Sequence, residues 1–203
     1  MYPAVKNKGL RIFLTTVSLA LAVVVAAAVL LAGVVFLTRL VNKGKIAIKT
    51  ENGIQEEGYV ELGGAEQYVQ IRGQDKRNPV ILFLHGGPGS PLSFLSYYFQ
   101  YDLEKDFTFV HWDQRGSGKT YFQNPGFDNN DLTFEMLTGD LHELVEHLKE
   151  RFGQEKIIIM GHSWGTTLGS VYSLRHPENV LAYIGVGQVV SGKGGDLAAA
   201  DEA

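Results

Sequence analysis

A serine at the end of an apolar run constrains this chain more than any other feature of its sequence. Five residues, Gly161, His162, Ser163, Trp164 and Gly165, spell G-x-S-x-G directly after the run Ile157 to Met160. A helix-compatible stretch follows, so the serine stands at a sharp strand-to-helix turn that lifts its hydroxyl above the sheet edge. The start of that helix favours an anion nearby. The pattern predicts a nucleophile elbow, with Ser163 as the attacking group.

Two further motifs follow apolar runs. His85-Gly86-Gly87-Pro88-Gly89 comes after Val80–Leu84, and the polar run 113–120 comes after Phe107–Trp112. An α/β sheet gathers its ligand-binding loops at the ends of its strands. Because glycines let backbone N–H groups approach a substrate oxygen closely, the first motif predicts an oxyanion loop.

The rest of residues 56–190 alternates strand-like and helix-like segments. Alternating runs on both sides of Gly63-Gly64 predict an antiparallel hairpin, and the helical stripe between Phe134 and Phe152 predicts an amphipathic helix capped by Asp131 or Thr133. A helix to about Arg175 and a strand over 180–186 complete the series. This alternation predicts an α/β fold with a mostly parallel sheet.

The N-terminal region contains a long apolar stretch. Ile12–Thr38 has no charged residue, and as a helix it would extend about 40 Å, more than the roughly 20 residues that a bilayer core needs. A cleaved signal peptide normally has a shorter apolar region, of about 7–15 residues. We therefore expect a single-pass transmembrane helix at 12–38, with the lipid bilayer as its partner.

Charge separates the two ends of the chain. Residues 1–49 carry seven Lys or Arg and no acid, which leaves 11 basic and 22 acidic side chains downstream. Such an acidic region argues against a nucleic-acid partner. Cations flank both ends of the apolar stretch, so the positive-inside rule gives no clear bias, and an extracytoplasmic soluble part is our preference. The absence of cysteine fits either compartment.

The three motifs, HGGPG, DQRGSGK and GHSWG, resemble in their order and separation the proline iminopeptidase-like branch of the α/β-hydrolases. The resemblance covers roughly residues 58–187. It implies Ser163 as the nucleophile and the backbone N–H groups of Gly87 and Trp164 as the oxyanion hole. Asp113 and Arg115 match a structural turn, whereas His162 departs from the usual GGSWG form of the family elbow.

The catalytic acid and base are harder to find. Triads in this fold follow the chain order Ser, Asp or Glu, His, and His176 is the one histidine after Ser163. It ends the helix that begins at the serine, about 20 Å away, too far to act as the base. We therefore expect an N-terminal portion of a hydrolase, without its last strands and cap. The expected segments are a basic segment 1–11, a transmembrane helix 12–38, a juxtamembrane linker 39–55, a partial α/β-hydrolase domain 56–190 and a flexible tail 191–203.

Other patterns fail on spacing. Gly118-Lys119-Thr120 imitates a P-loop, but Asp113 stands where that motif needs glycine. His142 and His147, five residues apart on the predicted helix, miss the spacing of zinc proteases and suggest a solvated face. His85 and His111, at strand ends, fit structural roles better than catalytic ones. We expect no metal and no cofactor.

Two hypotheses from different classes remain open. The first is a membrane-anchored serine hydrolase of the aminopeptidase type, acting through Ser163 on a small peptide, amide or ester. The second is a non-catalytic, membrane-tethered α/β fragment without a complete triad, whose open sheet edge would favour association.

Overall fold

The computed structural model describes residues 8–190, which form two separate units. The first unit extends to Ala47, and the second begins at Ile48. The first consists of one helix, and the second contains all strands and the remaining helices.

Helix α1 (Lys8–Ile46) is 39 residues long. It is the one helix among residues 8–190 that is long and apolar enough to cross a membrane, a test that a signal sequence also passes. Its apolar side chains are exposed, from Leu10 to Val41. The sequence predicted an end at Thr38, but the helix continues through the basic residues to Ile46.

The second unit is built on one sheet of six strands. The strands are β1 (Ile54–Leu62), β2 (Ala65–Gly73), β3 (Val80–Leu84), β4 (Thr108–Trp112), β5 (Ile157–His162) and β6 (Val180–Val186). Their spatial order is β1-β2-β4-β3-β5-β6. The β1–β2 and β2–β4 pairs are antiparallel, whereas β3 pairs in parallel with β4 and β5, and β5 with β6. The expected α/β fold with a mostly parallel sheet is confirmed.

Four helices and three short 3₁₀ turns connect the strands. The helices are α2 (Ser96–Gln100), α3 (Gly118–Gln123), α4 (Phe134–Phe152) and α5 (Gly165–Arg175), and the turns are Ser93–Leu95, Leu103–Lys105 and Asn129–Asp131. Of the two caps considered for α4, Thr133 is the one observed, because its Oγ1 accepts from Met136 N at 3.1 Å. Gly153, at φ 62°, ends the same helix, as glycine in the left-handed conformation commonly does.

The main core lies between the sheet and α4 and α5. Alternate residues of the central strands, such as Leu82, Val110 and Ile159, meet the apolar stripe of α4, including Leu141 and Leu144. All five are fully buried, and each such side chain contributes about 1.5–3 kcal/mol when removed from water. A smaller cluster of Ile81, Phe109 and Ile158 forms the opposite face of the sheet.

Strand β6 forms one edge of the sheet, next to β5. Its position matches the sequence prediction, but several of its apolar side chains are exposed, with Leu181 at 58% and Val186 at 43%. A run of apolar residues therefore predicted the strand correctly without predicting its burial. The segment 191–203, predicted to be a flexible tail, lies outside the described residues.

Candidate active site

Ser163 occupies the turn between β5 and α5. Its φ of 51° makes it the one non-glycine residue with a positive φ among residues 8–190, a conformation that side chains other than glycine rarely adopt. The turn is fixed at both ends, because Ser163 N donates to Val186 O at 2.9 Å and Thr166 N donates to Ser163 O at 2.9 Å. The residue itself is exposed. The backbone is thus held in a strained conformation that leaves the side chain at the surface.

The loop after β3 packs against this turn through two glycines. Leu84 and Gly161 are partners in the parallel β3–β5 ladder, so the loop and the turn leave the sheet side by side. A Cβ on Gly86 would lie 2.9 Å from His162 O and from Ser163 Cβ, and one on Gly165 would lie 2.7 Å from His85 O. Since real Cβ atoms do not approach backbone so closely, only glycine permits this contact.

Two backbone N–H groups are candidates for binding an anion here. Trp164 is the N-cap of α5, and Gly87 has a φ of 115° in the loop after β3. Within residues 8–190, neither N–H donates a hydrogen bond. The start of α5 adds the positive end of a helix dipole. An oxygen that gains negative charge beside Ser163 could accept hydrogen bonds from both groups.

His85 connects this loop to the loop after β4. Its Nε2 accepts from Gln114 N at 3.2 Å and lies 3.2 Å from Ser117 Oγ. The tautomer is assigned from this network, since Nε2 can accept only when the proton is on Nδ1, which lies 3.0 Å from Gly86 O. Burial lowers the pKa of His85. Its two nitrogens are therefore engaged in fixing the loops, which agrees with the structural role expected for it.

Asp113 and Arg115 fix the loop after β4. Asp113 accepts from Ser93 Oγ and from Lys119 N, both at 2.9 Å. Arg115 forms a buried ion pair with Asp140, with Nε 2.8 Å from Oδ2, and its pKa is raised chiefly by that hydrogen bond. Neither side chain forms a hydrogen bond with Ser163. Their contacts instead stabilise the conformation of the loop after β4.

Comparison with known proteins identifies the architecture. The family described as alpha/beta hydrolase fold matches residues 79–201, which is more than half of the chain. The chain belongs to the alpha/beta hydrolase fold family. Because the family match includes β3 and β5, it covers the loop after β3 and the turn at Ser163.

The chain is similar in sequence to proteins named as aminopeptidases or proline iminopeptidases. It is 37% identical over 130 residues to the probable aminopeptidase YbaC of Bacillus subtilis, covering 64% of this chain and 40% of that protein. It is 36% identical over 129 residues to the proline iminopeptidase of Neisseria gonorrhoeae, covering 63% and 38%. The crystal structure of the proline iminopeptidase-related protein from Thermus thermophilus superimposes with a TM-score of 0.52 at 32% identity, covering 62% and 42%. The resemblance to the proline iminopeptidase branch is confirmed, and the chain spans about two fifths of the length of these relatives.

The side chain of Ser163 forms no hydrogen bond with any histidine among residues 8–190. His111 Nε2 donates to Gln100 Oε1 at 2.6 Å, and Gln100 Nε2 donates to Glu104 Oε1 at 2.8 Å. Burial, with a smaller effect of His85, lowers the pKa of His111 to about 3, so this ring is neutral. His111 therefore has a structural role in this fold.

The residues that resemble a P-loop, Lys119 and Thr120, make contacts within the domain. Thr120 Oγ1 donates to Asp113 O at 2.5 Å and accepts from Tyr68 N at 2.8 Å. Lys119 Nζ bonds to Glu57 at 3.0 Å and lies 3.9 Å from the centre of the Tyr68 ring. Both side chains therefore contribute to packing between the segment after β4 and strands β1 and β2.

The histidines of α4 differ from the expected solvated face. His142 is half-buried, lies 3.2 Å from Tyr172 OH and stacks on His176 with ring centres 4.5 Å apart. The expectation was wrong for His142, because the end of α5 returns to cover it. No cluster of three or more His, Asp or Glu side chains among residues 8–190 could hold a metal ion.

Sequence reasoning missed the surroundings of His162. Its ring stacks on Phe83, with centres 6.3 Å apart, and its buried Nδ1 has no hydrogen-bond partner in the described residues. Phe83 in turn contacts Phe99 and His111. His162 is visible in the sequence as the residue before the serine, but nothing there indicates that Phe83 would stack on its ring.

Proposed function

We propose that this protein is a membrane-anchored serine hydrolase of the proline iminopeptidase type, with Ser163 as its nucleophile. The observation that carries the proposal is the conformation of Ser163, which is held at φ 51° and exposed at the start of α5. Such strain persists where the surrounding structure holds it, and it is concentrated at active sites.

The proposed chemistry is acyl transfer. Ser163 Oγ forms a bond with the carbonyl carbon of the substrate, and its proton passes to a general base, a group that residues 8–190 do not place in hydrogen-bond contact with the serine. The N–H groups of Gly87 and Trp164 stabilise the oxyanion, a contribution worth roughly 10²–10³ in rate for one donor. The tetrahedral intermediate then collapses, the C–N bond breaks, and the amine leaves with a proton. Water releases the acyl group from Ser163.

The substrate class comes from the relatives. The two relatives described above are named as a probable aminopeptidase and a proline iminopeptidase. We therefore propose a small peptide or amide with an N-terminal proline as the substrate, and related esters as weaker alternatives. The fold alone would not select this class, because α/β folds host many chemistries.

Anchoring in a membrane is the second part of the proposal. The uncharged stretch within α1 is long enough for a bilayer, and its apolar side chains are exposed. A helix with such a surface is stable in hydrocarbon, because its backbone bonds are satisfied internally. We expect the full chain to remain with membranes after extraction at alkaline pH, and complete release would refute anchoring without affecting the proposed chemistry.

The test of the chemistry is covalent labelling by a fluorophosphonate, followed by hydrolysis of prolyl-4-nitroanilide. The full chain should be labelled at Ser163, and Ser163→Ala should lose the label and at least roughly 10³-fold in hydrolysis rate. Ser170→Ala is the matched control, because Ser170 also lies on α5 but donates within the helix to Thr167 O. Labelling that survives in Ser163→Ala would refute the nucleophile. An unlabelled and inactive chain would favour the non-catalytic alternative.

A further inference from the structure

The basic residues that follow the apolar stretch of α1 form a distinct segment. Four cations, Arg39, Lys43, Lys45 and Lys49, lie within residues 39–49, which contain no acid; the first acid of the chain is Glu51. We call residues 39–49 the basic segment. Its first part is helical, since α1 extends to Ile46.

The cations of the basic segment differ from those of the hydrolase domain in their partners. The side chains of Arg39, Lys45 and Lys49 are exposed and make no ion pair or hydrogen bond among residues 8–190. Ten Lys or Arg lie between residues 50 and 190, and eight of them pair with a carboxylate. Most cations of the domain are therefore paired with carboxylates of the domain, whereas the exposed cations of the basic segment can bind another partner.

The position of the segment indicates what that partner is. The uncharged stretch from Ile12 to Thr38, as part of α1, covers about 40 Å at 1.5 Å per residue. A bilayer measures about 40–45 Å with its headgroup regions. If the stretch crosses a bilayer, Arg39 lies at the depth of the lipid phosphates, and Lys43 follows one helical turn later.

We propose that the basic segment binds the headgroups of anionic phospholipids. This inference rests on the anchoring proposed above. Lysines and arginines beside a membrane span gain about 1 kcal/mol each near an anionic surface, roughly a fivefold preference per cation. The hydrolase domain carries 22 acidic against 11 basic side chains from residue 50 onward, so an anionic surface would repel it. The attraction of the basic segment to the same surface would offset that repulsion, because the segment directly precedes the domain in sequence.

The test measures which lipids the full chain retains. The chain is reconstituted in phosphatidylcholine vesicles that contain a trace of spin-labelled phosphatidylglycerol or spin-labelled phosphatidylcholine, and electron paramagnetic resonance gives the motionally restricted fraction of each. We expect phosphatidylglycerol to associate about fivefold more strongly than phosphatidylcholine at low salt. The preference should disappear at roughly 1 M salt, where the screening length is about 3 Å.

Variants assign the preference to the segment. Replacing Arg39, Lys43, Lys45 and Lys49 by Gln should lower it by about half, because Lys6, Lys8 and Arg11 flank the other end of the apolar stretch. The control replaces Lys76 and Lys156 by Gln, the two lysines between residues 50 and 190 without a carboxylate partner, and should keep it. Equal association of both lipids with the unaltered chain, or a preference that the fourfold variant leaves unchanged, would overturn the inference. If the chain lowers the mobility of neither lipid, it is not anchored in the bilayer. That result would refute both the anchoring and this inference, but it would not affect the test of Ser163.

Discussion

Helix α1 and the hydrolase domain use the same residue types in opposite ways. In α1, apolar side chains such as Leu30 are 71% exposed, and the described cations near its ends have no carboxylate partner. In the domain, Leu82 and Val110 are fully buried, and a cation such as Arg115 meets a carboxylate 25 residues away in sequence. The apolar composition of α1 therefore describes that helix, whereas the buried ion pairs of the domain depend on partners that are distant in sequence.

The largest expected effect concerns the buried ion pair of Arg115 and Asp140. Their side chains are 8% and 2% exposed, and Arg115 also donates to Leu62 O and Gly63 O at 3.0 Å. Arg115→Met leaves the Asp140 carboxylate buried without its cation, so we expect the free energy of unfolding to fall by about 3–5 kcal/mol. Urea unfolding followed by tryptophan fluorescence measures it, since both tryptophans, Trp112 and Trp164, lie in the domain.

The matched control for this pair is a surface one. Arg175 pairs with Glu135 at 3.1 Å, with side chains that are 30% and 65% exposed. Arg175→Met should lower the free energy of unfolding by no more than about 1 kcal/mol. Adding Asp140→Leu to Arg115→Met should recover part of the loss, because it removes the unpaired charge. Equal losses in the two single variants would show that burial does not separate these pairs.

The next effect depends on pH and concerns His111. Its pKa in the folded domain is about 3 because of burial, against about 6.5 in an unfolded chain. Between these values the unfolded chain binds one more proton, so acid stabilises the unfolded state and the contribution vanishes above pH 6.5. Between pH 7.5 and 5 this residue should account for about 2 kcal/mol of lost stability.

His111→Gln isolates this contribution. The Gln amide can still donate toward Gln100 Oε1, which His111 Nε2 contacts at 2.6 Å, but it does not titrate. The difference between the unfolding free energies at pH 7.5 and 5 should therefore be smaller in the variant by about 2 kcal/mol. Identical pH dependence in both proteins would mean that the folded domain accommodates a charged His111.

The comparison also explains how much of the fold was predictable. Strands over 80–84 and 180–186 and the helix over 134–152 have the bounds that their apolar patterns predicted. Helices α2 and α3 were not predicted, because five and six residues are too few to show a helical period. For β6, the apolar pattern predicted the strand but not the exposure of several of its side chains.

The candidate site divides in the same way. The turn at Ser163 was predictable because its signal is local, a serine between two glycines after an apolar run. The functions of His85 and His111 depend on Gln114 and Gln100, which lie 29 and 11 residues away in sequence. No local pattern identifies such partners, and the same holds for the contact between His162 and Phe83.

A smaller effect concerns the start of α4. Thr133 Oγ1 accepts from Met136 N at 3.1 Å and satisfies one of the free N–H groups of that helix. Thr133→Ala should lower the free energy of unfolding by about 1 kcal/mol, whereas Thr133→Ser keeps the acceptor and should stay close to the unaltered domain. If both variants lose the same amount, the methyl group and not the cap stabilises this turn.

The smallest effect is the one expected in the domain when the charge of the basic segment is removed. Arg39, Lys45 and Lys49 have no partner among residues 8–190, so replacing them by Gln should change the free energy of unfolding of the domain by no more than about 0.5 kcal/mol. The same urea unfolding, carried out in detergent without anionic lipid, measures it. Lys119→Gln is the positive control, because Lys119 contacts both Glu57 and the Tyr68 ring and its loss should cost about 1 kcal/mol. A larger loss in the triple variant than in Lys119→Gln would mean that these cations pair with acidic residues of the domain in solution. In that case the cations near α1 and those of the domain would not differ in their partners.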